Sequence, residues 1–393
     1  MAALVSPTAS DEALAEPADS AANAAVTPAR LLSLDVFRGL AVAAMILVNN
    51  PGSWKAVYPL LRHAAWHGCT LADLVFPAFL FIMGVSQAFS FRQHGLRGTS
   101  RRAQLVHVLW RSMVLVALGL LLNGLFYLPW RGLRLPGVLQ RIGIVYCLAA
   151  LALLYLGTTL QAALTVFLLV GYWLLMTHAA APGHHAGDLS PAGNLASYLD
   201  SRVLSGHMWK RRWDPEGMLS TLPAVATTLS GALVGGWLMR RKKAAAECFP
   251  GRRYPSRTAL GLLAVGLAAI LLGRGWSLFF PMNKTLWTSS FVLYSGGWAT
   301  VALGICYWLL DARRWTFWAL PFAHLGRNSL AIYTASELVS IAVLTRVPDR
   351  LYRRFAAPFA HPRLASLVWA LAYVCVWEMA AWAMHRKRIF LKL

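Results

Sequence analysis

Acidic side chains are scarce in this chain. Fifteen Asp and Glu stand against 37 Lys and Arg, and only 13% of the 393 residues are charged. That shortfall excludes a water-soluble domain of this size. The basic excess, a formal +22, does not make the chain a nucleic-acid binder. Its Lys and Arg sit at the ends of apolar runs, where cytoplasmic anchors and lipid-headgroup partners belong. Cysteine is sparse and scattered: Cys69, Cys147, Cys248, Cys306 and Cys375 contain no CxxC pair, which removes a disulfide framework and a zinc site. Short alternating strands are missing, and with them a β-barrel. Also missing are a phosphate-binding Gly loop, a serine nucleophile elbow and any metal motif; the adjacent His184 and His185 do not share a helix face. No signal peptide opens the chain. Residues 1–30, rich in Ala, Pro, Ser, Asp and Glu, read as a disordered cytoplasmic tail. Without a convincing internal repeat, an inverted-repeat transporter gains no support.

What remains is apolar: 58% of residues are hydrophobic and the mean hydropathy is +0.53. Continuous runs near the twenty residues a bilayer requires predict an all-α polytopic membrane protein, a bundle of about ten transmembrane helices. They lie near 35–50, 72–91, 104–123, 141–157, 159–177, 219–239, 258–274, 289–310, 327–345 and 364–384. The apolar stretch 315–325 is either a short interfacial helix or an extra span, with Pro321 and Gly326 arguing for a break before the ninth run. Dense basic tracts at 92–102, 240–257 and 386–392 fall on one side of a ten-span chain. That side is expected to be cytoplasmic, with both termini, as in a bacterial inner membrane protein. The longest connection, about 178–218, then lies outside, and its aromatic and charged content suggests a lid. Gly231 and Gly235 form a small-xxx-small pair, favouring packing within one bundle over a homodimer contact.

The densest chemistry sits at 62–85, RHAAWHGCTLADLVFPAFLFIMGV, which meets the preceding run, LLSLDVFRGLAVAAMILVNNPGSW, across a short polar connection. Ionisable groups at the mouth of a span are costly and usually have a purpose. His63 can serve as base or nucleophile near neutral pH, with His67 competing on spacing alone. Asp73 stands one turn before Pro77, which cannot donate to the carbonyl of residue 73; it can orient a histidine, bind an amine, or cap the helix start. Asp35 and Arg38 share a helical face and can pair. Arginines at membrane depth suit phosphate, but Arg111, four residues after His107, reads as snorkelling to the headgroups. Glu337 and Glu378 fall inside spans and need partners.

These runs, continued by LPGVLQRIGIVY, DPEGMLSTLPA, FPMNKTLWTSSFVL and LGRNSLAIY in the same order, resemble the heparan-α-glucosaminide N-acetyltransferase family and its bacterial relatives. The resemblance implies that residues 31–393 are a transmembrane acyltransferase domain. Its activity would pass the acetyl group of cytosolic acetyl-CoA to the amine of a terminal glucosamine on the far side. The His-Ala-x-Trp-x-Gly motif makes His63 the catalytic residue over His67, with Asn49 as partner and Asp73 beside it. Arg38 of DxFRG and Arg141 of LQR become partners for the CoA phosphates. Trp66 and the N-K-x-L-W residues Asn283, Lys284 and Trp287 become acceptor contacts. No metal is implied; the partners are acetyl-CoA, an amino sugar or oligosaccharide, and membrane lipid. The alternatives are an O-acyltransferase of an envelope glycan and a non-enzymatic sugar transporter or flippase, which would also use Glu337 and Glu378.

Overall fold

The computed structural model describes residues 31–126, 132–248, 255–341 and 349–391. The expected tail at 1–30 and the middle of the 240–257 basic tract lie outside the described residues. The rest is helical, with no strand among the described residues. In order, the helices are α1 (Leu32–Asn49), α2 (Leu71–Leu96), α3 (Arg101–Phe126), α4 (Val138–Tyr155), α5 (Thr158–His178) and α6 (Leu195–Val203). There follow α7 (Thr221–Cys248), α8 (Pro255–Trp276), α9 (Ser289–Cys306), α10 (Leu320–Arg327), α11 (Ser329–Val339), α12 (Asp349–Ala356) and α13 (Pro362–Arg386).

Nine of these, α1 to α5, α7 to α9 and α13, are long and apolar enough to cross a bilayer. The chain is a polytopic helical membrane protein. The expected ninth run at 327–345 is different. Its helix breaks at Asn328, whose side chain donates to Ile389 O at 3.0 Å and accepts from Leu391 N at 2.9 Å. Serving the C-terminal segment in this way takes Asn328 out of the helical path (φ −118°, ψ 30°). α10 and α11 together still run the length of α1, from Gly326 beside Asp35 and Arg38 at one end to Glu337 beside Asn49 at the other, and residues 342–345 of the expected run lie outside the described residues. The stretch 315–325 is not an extra span: α10, eight residues long, starts with Pro321 in its first turn and leads through Asn328 into α11. Gly326 lies within the helix and serves a different end, since a Cβ there would sit 1.8 Å from Asp35 O. Glycine lets α10 touch the backbone of α1.

α2 is the centre, packed against α1, α4, α7 and α9. α1, α2 and α7 are the most enclosed spans, while α8 and α13 turn most of their surface outward. With no hydrophobic drive between helices in lipid, contact distance decides what holds them together. At α2–α7 a Cβ on Gly231 would meet Phe81 O at 2.0 Å, and one on Gly84 would meet Thr228 O at 1.9 Å. The small-xxx-small pair is therefore used inside this chain. Between the two backbones Phe81, Leu80 and Leu229 are fully enclosed. Arg111, expected at the headgroups, lies over the Tyr146 ring of α4 at 4.9 Å.

Candidate active site

The connection between α1 and α2 carries His63 and is pinned at Gly68. Its N–H donates to Met282 O at 2.8 Å, and its φ of +115° is a conformation only glycine adopts cheaply. This fixes the glycine of the histidine motif. Asp73 occupies the third position of α2 and is 1% exposed. One carboxylate oxygen, Oδ2, accepts from Thr70 N and Thr70 Oγ1 at 3.0 Å and from Ala64 N at 3.1 Å. The other, Oδ1, meets His63 Nδ1 at 2.7 Å. The two readings of Asp73 hold together: half of the group caps the helix and half holds the histidine. An ionised carboxylate accepts only, so Nδ1 carries the proton and the Nε2 lone pair is left for chemistry.

His63 is 40% exposed in its side chain, and the exposed part opens on a cavity of about 330 Å³. Asn49, Trp66, Asp73, Lys284 and Tyr333 line the same cavity. His67 is not among its lining residues; it stands edge-on to Trp66, and burial lowers its basicity. Cys69 is no competing nucleophile, because burial, reinforced by the Asp73 charge, pushes its thiol up to about 12. Asn49 Nδ2 donates to Glu337 Oε1 at 3.0 Å. Glu337 thereby has a partner within the bundle, and Glu378 faces His324 at 3.6 Å.

Lys284 reaches the histidine from the connection between α8 and α9. Its Nζ is 3.2 Å from His63 Nδ1, 3.4 Å from Nε2 and 3.7 Å from Asp73 Oδ1. Burial lowers its basicity, with the Asp73 charge opposing. Asn283 and Trp287 do not line the cavity. Asn283 is fully buried and its Oδ1 accepts from Leu286 N at 2.9 Å. Trp287 holds a left-handed backbone (φ 52°) and donates from Nε1 to Thr227 Oγ1 at 3.0 Å. Both shape the tight turn that presents Lys284, a framing role where the sequence suggested acceptor contact.

The two arginines expected to share one ligand are apart. Arg38 donates to Gly326 O at 3.2 Å and to Ser86 Oγ, and lies 3.5 Å from Asp35. Arg141 is 1% exposed, donates to Gly217 O and Ser220 Oγ at 2.9 and 2.5 Å, and stacks over Trp287 at 5.2 Å. Trp287 in turn packs on Phe76. Along α2, Phe76 and Ser86 are ten residues apart, about 15 Å. Arg141 therefore belongs to the end of the bundle that holds His63, and Arg38 to the other.

Sequence reasoning missed a third group. The 178–218 connection is packed against the rest of the site: Trp66 Nε1 donates to Leu189 O at 2.8 Å, and Trp66 meets Trp213 edge to face at 5.4 Å. Arg134 grips Asp214 with two bonds, Nε at 2.8 Å and Nη2 at 2.6 Å, and also binds Glu216. Its guanidinium lies 5.2 Å from the Trp209 ring. Trp209, Trp213 and Glu216 line the His63 cavity, while Lys210, Arg211 and Arg212 between the tryptophans are exposed. The signal was the alternation WKRRWDPE, two rings flanking three cations and followed by two acids.

A polytopic bundle with a carboxylate-held histidine facing a cavity has the outline of a membrane-embedded transferase site. A family model described as heparan-alpha-glucosaminide N-acetyltransferase, catalytic, matches residues 30–264, and the chain belongs to that family. Among curated relatives, heparan-alpha-glucosaminide N-acetyltransferase of Homo sapiens is 29% identical over 93% of this chain and 60% of its own length. Its Mus musculus counterpart is 28% identical over the same shares. The chain thus spans about 60% of the length of these relatives.

Proposed function

We propose that this protein is a transmembrane N-acetyltransferase that takes the acetyl group of acetyl-CoA from the cytoplasm and delivers it to the amine of a terminal glucosamine-type sugar on the opposite side. The observation that carries the reading is the His63–Asp73 pair opening on a cavity within a membrane bundle. In this reading both termini are cytoplasmic and the membrane is a bacterial inner membrane. The nucleotide is a polyanion and stays near Arg38, and the thin pantetheine arm carries the thioester into the bundle toward His63. The acceptor enters beside Trp66, Trp209 and Trp213, whose faces suit the apolar side of a sugar ring.

A sugar ammonium must lose a proton before it attacks a thioester. His63 Nε2 is the acceptor for that proton. Asp73 fixes the tautomer and stabilises the imidazolium that follows. One amide N–H of Asn49 is held by Glu337; the other is assigned to the thioester carbonyl, where negative charge develops during attack. The test is acetyl-CoA turnover by the purified protein against glucosamine, glucosaminide oligosaccharides and the corresponding sugars with hydroxyl in place of amine. Transfer to an amino sugar is expected. Transfer to hydroxyl acceptors alone would replace the reading with O-acylation, and no turnover with any of them would refute it.

A further inference from the structure

We propose that Lys284 is a self-acetylation site, an internal amine that takes the acetyl group when no sugar occupies the cavity. The inference rests on the reading above that a thioester reaches His63. Lys284 Nζ stands 3.4 Å from His63 Nε2, where the amine of an acceptor must stand to hand over its proton. About a fifth of its side chain remains open, and it lines the same cavity as His63 and Asn49. The residue thus resembles a tethered acceptor. A reacting group held beside its base at contact distance gains the advantage of a unimolecular reaction.

Three further features favour the amine over a permanently charged ammonium. Burial lowers Lys284 from the usual lysine range. The stabilising carboxylate, Asp73 Oδ1, is 3.7 Å away and already taken by His63 at 2.7 Å. The remaining oxygen, Oδ2, is filled by Thr70 and Ala64. In the step itself, neutral Nζ attacks the acetyl carbon, the N–C bond forms and the C–S bond breaks. The proton shed by Nζ passes to His63 Nε2 and on to the departing thiolate, which leaves as CoA thiol. The product amide carries no charge, so the contact with Asp73 is lost. An enzyme starved of acceptor would then silence itself, and a bound sugar amine would protect Lys284 by occupying its place.

The experiment incubates the full-length protein with acetyl-CoA alone, then maps acetylated peptides by mass spectrometry, with a parallel sample containing glucosamine. Acetyl is expected on Lys284 and not on the exposed Lys55 and Lys210, with glucosamine suppressing it. Lys284→Arg should remove the mark. His63→Ala, and His63→Gln as a second form of the same loss, should slow it by about 10²-fold or more, the usual contribution of a positioned base. An unmodified Lys284 in a preparation that acetylates glucosamine would overturn the inference and leave the functional reading standing. Absence of both reactions would overturn both. Modification at equal rates with and without His63 would show solution chemistry alone and would also overturn the inference.

Discussion

Asp73→Asn separates the two halves of the carboxylate. The new amide oxygen can keep the helix cap, accepting from Thr70 N and Ala64 N in place of Oδ2. The amide nitrogen then faces His63 Nδ1, where Oδ1 stood at 2.7 Å. Two N–H groups cannot bond each other, so the imidazole must move its proton to Nε2 and present Nδ1 as acceptor. Losing a hydrogen bond to a charged group costs about 1.5–3 kcal/mol, and the reversed tautomer gains a neutral bond of about 0.5–1.5 kcal/mol. The swing against the active tautomer is then about 2–4.5 kcal/mol, or roughly 30- to 2000-fold in rate at 1.4 kcal/mol per decade. Stability should fall too, because the cap bonds from Thr70 and Ala64, made to a charged oxygen in the native protein, become neutral ones. Single-turnover acetyl transfer to glucosamine measures the rate, and calorimetric titration of CoA checks that the donor still binds. A folded Asp73→Asn protein turning over within about threefold of wild type would refute the tautomer argument.

Arg38→Ala should weaken CoA binding by roughly ten- to a hundredfold, since a charge-assisted contact is worth about 1.5–3 kcal/mol; Arg141→Ala should leave it nearly unchanged and lower the thermal midpoint, because Arg141 props Gly217, Ser220 and Trp287. Equal effects of the two substitutions on calorimetric affinity would contradict the separation of the two arginines. Burial raises the Asp200 carboxyl to about 6, with Met218 N opposing. Because its folded value lies above the unfolded one, its stabilising share is present below pH ~4 and is lost as pH climbs through 6, by up to about 3 kcal/mol. Asp200→Asn should therefore flatten the thermal midpoint between pH 4 and 6 in detergent, and a variant that follows the wild-type pH curve would exclude that source. Cysteines placed in a Cys-free chain at Ser100 and Ser190, both exposed, should react with an impermeant reagent from opposite sides; labelling from one side would overturn the orientation.

The apolar spans were legible because a bilayer imposes a length on them, and nine of the ten emerge as single long helices among the described residues. The ninth run was read as unbroken because hydropathy counts Asn328 as a single polar residue, whereas the residue leaves the helix to hold Ile389 and Leu391. Gly326 was read as a breaker, although its lack of a Cβ serves a contact with Asp35 that no local pattern encodes. At the site, His63, Asp73 and Lys284 could be named from motifs, yet their meeting depends on pinning the first connection at Gly68 and the later one at Asn283. Arg141 and Arg38 were grouped because a motif gives residue type and not depth; each lies near the start of its own helix, and those helices start at opposite ends. The Arg134–Asp214–Glu216 cluster spans about 80 residues of sequence and has no periodic signature.

The most direct measurement is acetyl transfer by His63→Ala. The expected result is a folded protein that binds CoA with wild-type affinity and acetylates no amino sugar above background, while His67→Ala keeps substantial activity. A His63→Ala protein that acetylates glucosamine at the wild-type rate would contradict the assignment of the base and, with it, the proposed mechanism.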